Sequence, residues 1–142
     1  MHADFQQLLN TVVSFAQFQL ADGGAIYPFG ASMTLEGDVG INAADAGRDR
    51  PPSQELVNMM TAGFRQLAAE RKVRAACICV DVLCTPPGAT AKTDAIGVIL
   101  EHSSGDAIEA YIPYKKGWFG KIRYGEMFTL PGEPQFFVRE GE

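Results

Sequence analysis

Apolar positions along this chain change period several times, and each change marks an element. Over the first twenty residues Phe5, Leu8, Leu9, Val12, Val13, Ala16 and Leu20 recur at the spacing of one helical face. Gln6, Gln7, Asn10 and Gln17 cover much of the rest, and Gly23-Gly24 supplies a stop. From Ala25 to Leu35 the period becomes two, with Tyr27, Phe29, Ala31, Met33 and Leu35 on one face. Pro28 has no amide hydrogen, so this strand should lie at a sheet edge or begin after it. Glu36-Gly37-Asp38 reads as a hairpin turn, with Val39 to Ile41 returning as a short strand. Asn42 to Pro52 reads as a polar loop.

A second helix is expected from Ser53, as N-cap, to Arg71 or Lys72. Leu56, Met60, Gly63, Phe64 and Leu67 form its buried stripe, and Gly63 suggests a close neighbour there. The basic residues Arg71, Lys72 and Arg74 would complement the negative end of its dipole. The remaining half reads as strands: Val73 to Cys84, Ala95 to His102, Ala107 to Tyr114, Lys121 to Leu130 and Gln135 to Val138. Thr85-Pro86-Pro87-Gly88 and Ser103-Ser104-Gly105-Asp106 are the turns between the first three of these. The order helix, two strands, helix, then three to five strands predicts a single α+β domain over residues 1–142. Its mainly antiparallel sheet would have about five or six strands, flanked by two helices.

Composition narrows the function classes. The chain has 142 residues, 46% hydrophobic and 20% charged, which suits a folded domain rather than a disordered one. Its charge of 12 − 17 = −5 argues against a general nucleic-acid binder. No apolar run approaches the ~20 residues that span a bilayer, and MHADFQQLLN lacks the basic start of a secretory signal. With three cysteines, an odd number, a cytoplasmic location and no membrane partner are expected.

Four constellations could carry chemistry. Cys77, Cys79 and Cys84 lack the paired turns of a structural zinc site and read as core residues, so no metal and no cofactor are expected. Glu101 and His102 lie beside serines, but strand alternation sends them to opposite faces. No G-x-S-x-G elbow is present, so His102 reads as a surface histidine and no catalytic residue is assigned. Asp81, inside an apolar strand, must be hydrogen-bonded, paired or at an edge, with Lys92, Arg65 and Arg74 as candidate partners. Gly23-Gly24 does not stand between a strand and a helix, which excludes a phosphate-binding glycine loop there.

The most unusual stretch is Pro113 to Gly125. Residues 115–123 carry four cations and no acid, a charge of +4 in a chain whose remainder is −5 − 4 = −9. The only tryptophan stands in the middle, with Gly117 and Gly120 around Trp118-Phe119. A projecting hairpin with at least one exposed ring follows. Tyr114, Lys115, Lys116, Trp118, Phe119, Lys121 and Arg123 are the expected partner contacts.

Tyr27-Pro28-Phe29-Gly30-Ala31, Gly37-Asp38-Val39, Arg74-Ala75, Asp94-Ala95-Ile96, Glu101-His102 and Ile112-Pro113-Tyr114 together resemble a group of small bacterial proteins with no activity to carry over. That resemblance implies a bacterial, cytosolic, stand-alone domain, and the order of elements is similar to profilin-like domains. The expected function is a non-enzymatic protein-interaction domain, adaptor- or immunity-like, whose partner is another protein or a second copy. Two alternatives stand beside it. One is a small-ligand sensor or enzyme with a cleft near Asp81, Tyr27 and Glu101. The other is a phosphate or nucleic-acid contact through residues 115–123, with nucleic acid the less expected partner.

Overall fold

A computed structural model describes residues 1–42 and 52–138. The polar loop expected over Asn42 to Pro52 lies, apart from its two end residues, outside the described residues. The elements run α1 (Ala3–Gly23), β1 (Phe29–Thr34), β2 (Val39–Asn42), α2 (Ser53–Ala69), β3 (Val73–Cys84), β4 (Thr93–His102), β5 (Ala107–Lys116), β6 (Ile122–Tyr124) and β7 (Phe128–Pro131). All pair antiparallel in the order β2-β1-β3-β4-β5-β6, with β7 also on β5. This is the α+β domain the periodicities predict. Among the described residues no helix is long and apolar enough to cross a membrane.

Alternation along β3 sorts the core into two halves. Cys77 and Cys79 face the α1 stripe of Phe5, Leu8, Leu9 and Val12. Ala76 and Ile78 face the opposite way, against Leu56, Met60 and Phe64 of α2. The helices therefore cover opposite faces of one sheet. Burial pushes the Cys77 thiol up to about 12 and raises Cys79 as well, so both are inert apolar residues.

Strand β1 begins just after Pro28, the second of the two outcomes expected, and lies inside the sheet between β2 and β3. Several other expectations are corrected. Ser53 is the first residue of α2, not its cap. Among the described residues nothing packs close to Gly63; a close approach is at Gly30, where an added Cβ would lie 2.7 Å from the Phe64 ring. Arg74 leaves the end of α2 and reaches α1, donating to Asp4 Oδ1 at 3.0 Å.

The expected strand from Lys121 to Leu130 is broken at Gly125, and the cause lies on its neighbour. The Pro113 carbonyl accepts the Gly125 N–H at 2.8 Å, so Pro113 turns its peptide edge toward this outer strand. Proline has no N–H to return, the ladder lapses, and β6 and β7 pair with β5 on either side of the gap. Gln135 to Val138 is no strand either. Its backbone donors turn to the Glu101 carboxylate, which accepts from Gln135 at 2.7 Å, Phe136 at 2.8 Å and Phe137 at 3.3 Å.

Candidate functional site

The hairpin of β5 and β6 stands at one margin of the sheet. Tyr114 pairs with Tyr124, Lys115 with Arg123 and Lys116 with Ile122. The Gly117 N–H donates to the Lys121 carbonyl at 2.6 Å and closes the reversal, and Trp118–Gly120 form a single 3-10 turn within it. Phe119 sits at φ 59 and Gly120 at φ 74, both left-handed. Glycine adopts that region freely, whereas a bulky side chain is strained there. The strained backbone aims both rings outward: Trp118 is 87% exposed and Phe119 103%.

The expected contact residues divide into three groups. Trp118, Phe119, Lys115, Lys121 and Arg123 are exposed at or beside the tip. Lys116 donates its Nζ to the carbonyl of Gly24, the residue that ends α1, and so anchors the hairpin base to that helix. Tyr114 is not at the surface: it is 3% exposed, and its hydroxyl donates to both Asp81 oxygens at 2.8 and 2.9 Å. Burial first, then Asp81, raises its pKa well above the ordinary tyrosine value. Asp81 thus takes a tyrosine for its partner. Of the cations considered, Arg74 goes to Asp4 and Arg65 to the Gln135 carbonyl.

The cleft near Asp81, Tyr27 and Glu101 is not assembled. Asp81 shares a face with Cys77 and Cys79, the α1 side, whereas Glu101 pairs across from Ala76 on the α2 side. Glu101 is 0% exposed and its acceptors are taken by the chain's own C-terminal segment. It is a structural clamp.

His102 does not lie free at a hairpin surface. Its Nδ1 accepts the Ser104 N–H at 3.0 Å, so the proton belongs on Nε2, which stands 2.8 Å from Asp4 Oδ2. Its ring stacks on His2 with centroids 4.0 Å apart, and the His2 Nδ1 accepts the Asp4 N–H at 3.1 Å. The His102 bond first, and Arg74 with it, holds the Asp4 carboxyl below the usual aspartate range. His2, Asp4 and His102 have metal-ligating side chains close together. Yet Arg74 already neutralises Asp4, and both Nδ1 lone pairs accept backbone protons. The cluster ties the start of α1 to the end of β4.

Sequence reasoning missed Asp4, whose role depends on partners about seventy and ninety-eight positions away. It also missed Lys92 as a neighbour of the hairpin: it lines one groove with Lys115, Arg123 and Tyr124. No local signal marks Lys92, which stands between Ala91 and Thr93.

With this geometry in place, comparison with family models, with curated proteins and with solved structures gives no match.

Proposed function

We propose that this chain is a non-enzymatic protein-interaction domain whose contact element is the β5–β6 hairpin. The observation that carries the reading is the Trp118–Phe119 pair, presented almost wholly to solvent on a strained turn. Neither ring contributes to either core cluster. Exposed aromatic area costs solubility, and Trp is among the residues richest in contact energy when a partner covers it. Lys115, Lys121 and Arg123 stand beside the rings without an ion pair among the described residues. They favour an acidic partner and speed its encounter at low salt. The rest of the chain, at −9 by the arithmetic −5 − 4, is itself such a surface, so a second copy is the simplest partner.

Trp118 reports on this directly, because it is the only tryptophan. In dilute protein its emission is expected to be red-shifted and open to quenchers. It should become protected as light scattering shows association, and salt or Phe119→Ala should reverse the change. A demonstrated monomer whose Trp118 emission is blue-shifted and unquenched at every concentration would overturn the reading.

A further inference from the structure

Beside the hairpin, the loop after β3 and the start of β4 face β5 and β6 across a groove of about 510 Å³. That volume suits a small organic molecule, which typically occupies roughly 300–1,000 Å³. Three cations line it from three separate segments: Lys92 before β4, Lys115 on β5 and Arg123 on β6. Among the described residues no acid lines it, although the chain carries seventeen acids against twelve lysines and arginines. None of the three cations has an ion-pair partner among the described residues.

The sheet register sharpens the point. Lys115 and Arg123 are directly opposed cross-strand partners, and like charges so placed destabilise a sheet. A pairing with a local cost, and no acid among the described residues to relieve it, points to an anion from outside. Apolar walls come from Pro86 and Pro113, and hydroxyls from Thr90 and Tyr124. Burial raises the Tyr124 pKa, so at neutral pH its hydroxyl remains a donor.

We infer that this groove binds the phosphate group of a small organic molecule, held by Lys92, Lys115 and Arg123. Phosphate answers the chemistry better than a carboxylate does. A phosphate monoester carries about −1.5 to −2 charges at neutral pH and offers three acceptor oxygens. Arg123 can meet two of those oxygens with its planar fork, while the lysines act as point charges. The proline walls and the Tyr124 ring leave an apolar surface for the rest of the ligand. The inference shares Lys115 and Arg123 with the tip reading but does not rest on it, since Lys92 lies outside the hairpin and Trp118 and Phe119 lie outside the groove lining.

The test titrates the protein with inorganic pyrophosphate, adenosine diphosphate and adenosine, by calorimetry and thermal shift. Pyrophosphate and adenosine diphosphate should bind with Kd at or below about 1 mM, and adenosine about tenfold or more weakly. Raising salt from about 50 to about 200 mM should weaken the phosphate probes. Lys92→Glu, at an exposed position, should keep the melting temperature, Arg123→Glu should raise it slightly by placing an opposite charge across from Lys115, and each should lower affinity about tenfold or more. Trp118→Ala should leave affinity unchanged. The inference fails if neither phosphate probe binds at about 1 mM. It also fails if both charge reversals leave binding intact, if adenosine binds equally well, or if Trp118→Ala abolishes binding and moves the anion site to the tip.

Discussion

The Glu101 carboxylate accepts the Phe136 backbone N–H at 2.8 Å, in the interior of the sheet face that α2 covers. Through this bond the C-terminal segment is held without being a strand, and the Phe136 ring is set 5.4 Å from that of Phe64. Three backbone donors meet one buried carboxylate there, and no buried side-chain polar atom among the described residues lacks a partner. Loss of the carboxylate would strand those donors in an apolar site. Glu101→Ala is therefore expected to cost roughly 3 kcal/mol and to release Phe136 from the core. Hydrogen exchange at residues 135–137 checks it, as does the denaturation midpoint. Unchanged protection in the variant would mean that side-chain packing alone holds the segment.

The tie between Asp4, His102 and Arg74 makes a pH prediction whose sign follows from Asp4. Its carboxyl is held below the ordinary value of 3.8, so the folded state prefers it ionised. The stability it adds is present above about pH 4 and is lost as the pH falls through the lowered value. Asp4→Ala should cost about 1 kcal/mol at pH 7, a modest figure because the group is partly solvated. The gap between variant and wild type should close below pH 4 in acid denaturation curves. Equimolar zinc, or a chelator, should leave the midpoint where it was, since Arg74 and two backbone protons already occupy the donors. A zinc-dependent rise in stability would show that the ligands are free to rearrange around a metal.

Tyr114 predicts the opposite limb. The neutral phenol is favoured in the fold, so its contribution is complete below about pH 10 and is lost as the pH rises through the raised value. Tyr111 behaves likewise, pushed up to about 12 by burial and by its 2.6 Å bond to Glu109. In an ultraviolet titration of the four tyrosines, Tyr114→Phe should remove a late-ionising group. It should cost about 1 kcal/mol at pH 7, because Asp81 is exposed enough for water to replace the lost donor. Loss of an early-ionising group instead would mean that the Tyr114 hydroxyl is open to solvent.

Elements whose burial is one-sided could be read from the sequence, because their period is a local property. The α1 stripe, the alternation of Cys77 and Cys79, and the opposite faces of Glu101 and His102 are all of this kind. What could not be read depends on groups distant in the chain. The break between β6 and β7 arises from Pro113, on the neighbouring strand, and the bend at Gln135 to Phe137 from Glu101. The hairpin tip was legible from its glycines and its composition. The groove was not, since Lys92 joins Lys115 and Arg123 only through the pairing of β4 with β5 and β5 with β6.

Phe119 offers a test of whether the tip serves the fold or a partner. Its side chain is fully exposed and its backbone is left-handed, so it has an unfavourable conformation and no burial to offset it. That conformation costs about 1–2 kcal/mol for a residue with a Cβ, and asparagine tolerates it better than phenylalanine because its short polar side chain bonds locally. Phe119→Asn should therefore raise stability by about 0.5–1 kcal/mol, where most substitutions lower it. The same change should weaken association, because it removes one of the two exposed rings. Denaturation of the monomer measures the first effect and the dilution dependence of Trp118 emission the second. Higher stability with weaker association would mean that the ring is kept at the expense of the fold, for contact. Lower stability in a monomer would show instead that Phe119 supports the hairpin, and the contact reading would lose its second anchor.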